Sequence, residues 1–334
     1  MKIVVDAEGS DNGAESIVSG IKSALLIYKN LEIFLAGKAS KLLPLVKTEK
    51  RITVIDSTET ITNNDSPVEA IKIKKNSSLV LAFDFLKNNK DCIGLISAGS
   101  TGAILAGGLL KIGRIAGVLR PALSPLLPTE KDGSVLLIDC GANVDSKAIN
   151  LVQFAIMGSV YYKEIFAVQN PRVALLNIGT EEKKGNEFSK ECFELLKKAP
   201  INFVGNMEAR DLMSGNYDIV VSDGFAGNIA LKATEGTSQI IMRQFKKAMT
   251  KNIFSKIGLL FAKNSLKQLK TTFDYKKYGG SPLLGLKKIV FKCHGASNPE
   301  VIKNAIGQVI IQNDMQVNCK ILEVISNYKQ ENED

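Results

Sequence analysis

Short apolar runs, rich in β-branched residues and each stopping at a small or polar residue, recur along the chain with helical patterns between them. They are IVV before Asp6, EIFLA before Gly37, ITVI before Asp56, CIGLI before Ser97, SVLLI before Asp139, VALLN before Gly179, INFV before Gly205, DIVV before Ser222 and KIVF before His294. Helical patterns fill most of the gaps, as from Val68 to Lys87 and from Asn186 to Lys198. Continuous apolar runs alternating with helices predict βα units and a mostly parallel sheet buried on both faces. The expected fold is therefore α/β: a doubly wound, Rossmann-like three-layer α/β/α arrangement. In such a sheet the loops leaving the C-terminal strand ends line one crevice, where ligands bind. Asp6, Gly99, Asp139, Gly179, Asp223 and His294 all fall at those ends.

One segment breaks the rhythm. From about residue 237 to 272 only helical pattern is present, with Gly258 near its middle, which predicts a helical hairpin protruding from a single domain of residues 1–330, followed by an acidic tail, 331–334. Between Ile240 and Val290 stand twelve Lys or Arg and one acid, Asp274, so this stretch carries +11 of a chain whose net charge is +9. Its partner should be acidic: an anionic protein, a membrane surface or a nucleic acid. Phe254, Ile257, Leu260 and Phe261 form an apolar stripe edged by lysines, a pattern that serves a core, a dimer contact or a membrane interface. With no Trp and 6% aromatic residues the chain has few groups for stacking on bases, so nucleic acid is not the expected partner.

The five cysteines, at 92, 140, 192, 293 and 319, are scattered without a C-x-x-C pair, which argues against structural zinc and for free thiols in a reducing compartment. Three apolar residues precede Asp6, with no signal-like h-region, and no run approaches the roughly 18 apolar residues of a spanning helix. The expectation is a cytoplasmic protein.

Several strand ends carry residues suited to anions. Ser97-Ala98-Gly99-Ser100-Thr101-Gly102 leaves a strand and opens a helix, and its hydroxyls can bind phosphate oxygens or cap the helix. Ser222-Asp223-Gly224 leads through Gly227 into a helix bearing Asn228 and Lys232, so unpaired N–H groups lie beside an amide and an amine. Asp139-Cys140-Gly141-Ala142-Asn143 places a carboxylate and an amide after a buried strand, and Lys184-Gly185-Asn186 stands at a loop-to-helix junction. His294 is the one histidine, so imidazole chemistry must pass through it; its other reading is a structural residue closing a Gly-rich turn beside Ser297. Neither G-x-G-x-x-G nor the G-x-x-x-x-G-K-[ST] phosphate loop occurs.

Together these segments resemble the phosphate acyltransferase family of bacterial phospholipid synthesis, in order along nearly the whole chain. The resemblance rests on Ser97-Ala98-Gly99-x-Thr101-Gly102-Ala103, Arg120-Pro121-Ala122, Asp139-x-Gly141-Ala142-Asn143, and Leu151-Val152-Gln153-Phe154-Ala155-x-Met157-Gly158. It continues with Asn170-Pro171-Arg172-Val173, Lys184-Gly185-Asn186-Glu187, Ser222-Asp223-Gly224-Phe225-x-Gly227-Asn228, Tyr278-Gly279-Gly280 and His294-Gly295-x-Ser297. The resemblance implies transfer of an acyl chain from acyl carrier protein to inorganic phosphate, giving acyl phosphate. It also implies a fold similar to isocitrate dehydrogenase and phosphotransacetylase, a homodimer, no cofactor or metal, and a cytoplasmic enzyme peripherally associated with the membrane, where a glycerol-phosphate acyltransferase is a candidate partner.

On that basis Lys184 and Asn228 are the expected catalytic residues. Ser97, Gly99, Thr101, Asn143, Asn186, Asp223, Gly227 and His294 are expected to bind phosphate or substrate. Lys246, Lys247, Lys251, Lys263, Lys267 and Lys270 are expected to meet the acidic carrier, and Phe254, Ile257, Leu260 and Phe261 the membrane. The sequence departs from the family pattern at Glu8, Ser10 and Ser100 and at Asn63-Asn64-Asp65, where the added charge of Glu8 and the side chain of Ser10 would bear on the anion site. Two other classes stay open: a phosphotransacetylase-like or dehydrogenase-like enzyme acting on a coenzyme A ester or a small acid, and a non-catalytic basic module that binds membrane or nucleic acid.

Overall fold

The computed structural model describes residues 1–131, 133–251 and 278–333, with side chains of the last helix described as far as residue 330. In chain order the elements are β1 (Lys2–Asp6), α1 (Gly13–Ile27), β2 (Glu32–Gly37), α2 (Ala39–Val46), β3 (Ile52–Asp56), α3 (Pro67–Ile73), α4 (Ser78–Asn88), β4 (Cys92–Ser97) and α5 (Thr101–Gly107). Then follow β5 (Ala122–Leu123), β6 (Leu126–Pro128), β7 (Ser134–Ile138), α6 (Ala148–Phe166), β8 (Arg172–Asn177), α7 (Glu187–Lys198), β9 (Asn202–Glu208) and β10 (Ile219–Val221). The chain closes with α8 (Gly224–Met249), β11 (Ser281–Leu284), β12 (Ile289–Lys292), α9 (Pro299–Asp314) and α10 (Val317–Glu333).

All nine apolar runs form strands, and helices cover them, as the α/β pattern requires. The strands divide between two sheets, ordered β3-β2-β1-β4-β12-β11-β5 and β6-β7-β10-β8-β9. The central pairings are parallel; β11 and β6 run antiparallel to β12 and β7. The segment from Ala122 to Pro128 supplies β5 to the first sheet and β6 to the second, so it stitches the two together. Strands this short, one carrying a proline, give no periodic signal, which is why the sequence pattern shows neither them nor β11.

Packing follows the same logic. Helix α6 buries most of its length beneath the second sheet, and Ile3, Val5, Ile33, Leu35 and Phe291 form a fully enclosed layer of the first. The Arg172 guanidinium clamps Asp218 through two 2.9 Å hydrogen bonds, fixing the start of β8 beside the segment that enters β10. The single helix expected from Val68 to Lys87 is two: Ser77 Oγ donates to the Lys74 carbonyl at 2.7 Å and Lys74 Nζ reaches Asp65 at 2.8 Å, so a polar turn interrupts the helical pattern.

Helix α8 departs furthest from expectation. It starts at Gly224 and runs without interruption to Met249, so the first part of the expected hairpin continues the helix of the Asp223 turn. Its buried residues are confined to Gly224, Gly227, Ala230 and Leu231, and beyond them the helix leaves the body of the protein with Ile240, Ile241, Phe245, Lys246, Lys247 and Lys251 exposed. Phe254, Ile257, Leu260, Phe261, Lys263, Lys267 and Lys270 lie outside the described residues. The C-terminal helix α10 extends to Glu333, so residues 331–333 of the acidic tail are helical in place of the disorder their composition suggests.

Candidate active site

Strand register assembles the site. Asp6, Ser97 and Lys292 are lateral neighbours at the ends of β1, β4 and β12, and Ile138 and Val221 are neighbours at the ends of β7 and β10. Residues that follow β4, β7, β10 and β12 line a cleft of about 390 Å³.

Two buried carboxylates hold the loops from behind. Asp6 is 2% exposed; Ser97 Oγ donates to it at 2.6 Å and in turn accepts the Gly99 N–H at 3.0 Å. Burial raises the Asp6 carboxyl to about 6, against the pull of hydrogen bonds from Ser78, Ser97 and the Glu8 N–H. Asp139, fully enclosed, accepts the backbone N–H groups of Leu123, Cys140, Ala142 and Asn143 and the Asn143 side-chain amide at 2.7–3.2 Å. Burial pushes its pKa upward and these donors oppose the shift. The Asp139 turn thus has a positional role.

Helix α8 is seated on that turn. Asp223 caps it by accepting the Ala226 N–H at 2.7 Å, and the Gly224 N–H donates to the Asn143 carbonyl at 2.8 Å. A Cβ at Gly227 would lie 2.0 Å from the Asp139 carbonyl oxygen, so only glycine lets the helix approach this closely. The seating turns Gly224, Asn228, Leu231, Lys232 and Glu235 toward the cleft, the i, i+4, i+7, i+8, i+11 face of one helix.

The cleft lining combines two kinds of residue: Thr101, Asn228, Lys232, Glu235, Lys292, His294 and Ser297 are polar, whereas Leu123, Pro125, Leu126, Leu127 and Leu231 are apolar. Lys232 Nζ lies 2.9 Å from Glu235 Oε2, and Lys292 Nζ donates to the Cys293 carbonyl at 2.5 Å. Burial, then the charge of Lys232, lowers Lys292 below the ordinary lysine value. The side-chain amide of Asn228 has no hydrogen-bond partner among the described residues and stands beside Gly141. Ser297 Oγ is buried and unpaired among them. Burial holds the Cys140 thiol far above its usual value and raises Cys293 to about 12, so neither is available as a thiolate nucleophile. A lining that combines cations and hydrogen-bond donors with apolar side chains can hold an anion against the head of a hydrophobic chain.

A family model described as fatty acid synthesis protein matches residues 1–320. The chain belongs to this family. Among its relatives in the family, the phosphate acyltransferase of Thermoanaerobacterium thermosaccharolyticum is 48% identical over 308 residues, 92% of each chain. That of Bacillus pumilus is 46% identical over 318 residues, covering 94% of this chain and 95% of its own. Relatives this similar over this length place the chain among acyltransferase enzymes. A solved phosphotransacetylase from Streptococcus pyogenes superposes with a TM-score of 0.62 at 19% identity, over 95% of this chain and 94% of its own. A branched-chain phosphotransacylase from Enterococcus faecalis V583 gives 0.59 at 15% identity, over 93% and 98%. At such identities the superpositions establish the shared fold.

Of the residues expected to act on or bind the substrate, this family member brings Thr101, Asn228 and His294 into the cleft lining, with Lys232 and Ser297 beside them. Ser97, Gly99, Asn143, Asp223 and Gly227 form the support behind it: the Ser97 hydroxyl is fully enclosed, and the Asn143 amide is spent on Asp139 and on the Pro121 carbonyl at 2.8 Å. Ser97 and Asn143 therefore position loops in place of the ligand contacts expected of them. Lys184 and Asn186 do not line the cleft. Asn186 caps α7 by accepting the Ser189 N–H at 2.8 Å, while Lys184 is exposed on the loop leaving β8, the strand next to β10. Lys292 and Glu235 were missed, because a lysine ending a strand and a glutamate three turns into a helix carry no local signal. The departures from the family pattern do not enter the lining: Glu8 accepts the Lys38 N–H and Ser10 Oγ donates to the Gly295 carbonyl, tying the first loop to the loop that follows β12.

Proposed function

We propose that this cleft transfers a fatty acyl group from acyl carrier protein to inorganic phosphate, giving an acyl phosphate and the free carrier thiol. The observation that carries the proposal is the union, in one cleft lining, of Lys232 and Lys292 with the apolar side chains of Leu123, Pro125, Leu126 and Leu127. A thioester is already activated, so the dianion of phosphate needs alignment more than a strong base. Lys232, Lys292 and the Thr101 hydroxyl hold the phosphate, the Asn228 amide donates to the acyl carbonyl, and the apolar side chains take the first methylenes of the chain. Lys184 adds positive charge from the neighbouring strand end. One well-aimed donor to the developing oxyanion is worth about 2.7–4 kcal/mol.

The exposed cations at the outer end of α8 suit an acidic carrier, and its uncovered Ile240, Ile241 and Phe245 suit a second copy of the chain. Among the described residues no helix is long and apolar enough to cross a membrane, and the membrane association proposed here is peripheral. The deciding experiment is release of carrier thiol from a long-chain acyl carrier protein with and without phosphate, with the product trapped as a hydroxamate. Phosphate-dependent release with hydroxamate is expected; equal turnover of the coenzyme A ester would shift the donor, and no release from either would remove the reading.

A further inference from the structure

His294 stands at the mouth of the cleft on the loop that leaves β12, and its two ring nitrogens have different surroundings. Nδ1 accepts the backbone N–H of Ala296 at 3.1 Å. That turn is rigid: the Ser297 N–H donates to the His294 carbonyl at 3.0 Å, and the Ser297 carbonyl accepts from Asn12 Nδ2 at 3.0 Å and Ser16 Oγ at 3.1 Å. A nitrogen that accepts a hydrogen bond carries no proton, so the neutral ring must bear its proton on Nε2. Nε2 has no hydrogen-bond partner among the described residues.

The surroundings of the ring favour its neutral form. Burial, then Lys232 on α8, then Lys292 on β12, push its pKa below the ordinary value, with Glu235 on α8 and Asp11 on the first loop opposing. Two cations beside an imidazole in a cleft that receives a dianion favour an uncharged ring in the free protein. A neutral imidazole is a poor acid but a good hydrogen-bond donor to an oxygen that is gaining charge.

We propose that His294 is a catalytic residue acting as an uncharged hydrogen-bond donor, with its Nε2–H aimed at the oxyanion formed when phosphate adds to the acyl carbonyl. The role rests on the acyl-transfer reading of the cleft. A phosphate oxygen forms the new bond to the carbonyl carbon and the π pair moves to oxygen, where the Nε2–H and the Asn228 amide both donate. The pair then returns, the carbon–sulfur bond breaks with its electrons on sulfur, and the proton of hydrogen phosphate ends on the thiolate through solvent. His294 keeps its own proton throughout, so it serves neither as base nor as acid.

Because the chain has one histidine, a protein labelled with ¹⁵N-histidine gives one pair of imidazole nitrogen signals with no assignment problem. At neutral pH the spectrum should show a protonated Nε2 and an unprotonated Nδ1; an imidazolium, or a ring protonated on Nδ1, overturns the proposal and requires no variant to fold. In the phosphate-dependent thiol-release assay, His294→Ala should lower kcat by about 10²–10³-fold with KM for phosphate changed only a few-fold. His294→Asn, which retains an N–H donor, should recover part of the loss. An active wild-type protein with an unimpaired His294→Ala variant removes the role of His294 alone, whereas an inactive wild-type protein removes the acyl-transfer reading and this role with it.

Discussion

Single side chains divide into those that face the reaction and those that hold others in place. Asn228 belongs to the first group, while Lys184 stands outside the lining and is proposed to act through its charge; replacing either with Ala should remove most turnover, about 10²-fold or more for the Asn228 donor, with unchanged unfolding curves. Turnover near wild type in either variant would reject that residue's role. Asp6 belongs to the second group, and its burial gives a pH signature. Its folded-state pKa is about 6 against an ordinary 3.8, so the folded protein binds the proton more tightly than the unfolded chain. That stability is complete below 3.8 and is lost as pH rises through about 6, a change of up to about 3 kcal/mol. Urea unfolding of Asp6→Asn at pH 4.5 and 7.5 should show the variant gaining on the wild type at the higher pH; a pH-independent difference would contradict the assignment. The sequence shows Asp6 as the last residue of an apolar run, but its pairing with Ser97 arises only through the register of β1 on β4.

At the scale of elements, α8 does most to build the cleft, and the glycine that seats it is its weak point. Gly227→Ala places a methyl against the Asp139 carbonyl, so the helix must move, at a cost of about 1–3 kcal/mol and with loss of turnover, since Asn228 and Lys232 ride on the same turn. Thermal unfolding and assay of this variant check both effects. At the other end of the helix, replacing Lys246, Lys247 and Lys251 with Gln should raise KM for an acyl carrier protein and flatten its dependence on ionic strength while kcat stays unchanged. An unchanged KM would move carrier docking elsewhere. The nine apolar runs made the strands legible, and the Ser222-Asp223-Gly224 turn marked where α8 begins, because period and turn chemistry are local. The extent of α8 was not legible, because the exposed turns after Leu231 look like a separate helix when the seating of the first turns is unknown.

Across the whole molecule, one cleft draws on strand ends from both sheets, and the Ala122–Pro128 crossing with the Asp139 turn joins them. Ile240, Ile241 and Phe245 form an exposed apolar patch on α8; if the proposed second copy docks there, Ile241→Glu with Phe245→Glu should yield a smaller sedimenting species than the wild type by sedimentation velocity, and a variant that sediments as the wild type does would remove this face from the interface. The sequence by itself determined the α/β class, the strand ends where chemistry gathers, and the family resemblance, because each is written in local period, turn residues and ordered motifs. Only the tertiary structure decided which polar residues face the cleft. Asn228, Lys232 and Glu235 reach it through a helix face, Lys292 and His294 through the register of β12, and Ser97 and Asn143 are withdrawn from it, because burial and hydrogen-bond partners are set by residues far apart in the chain.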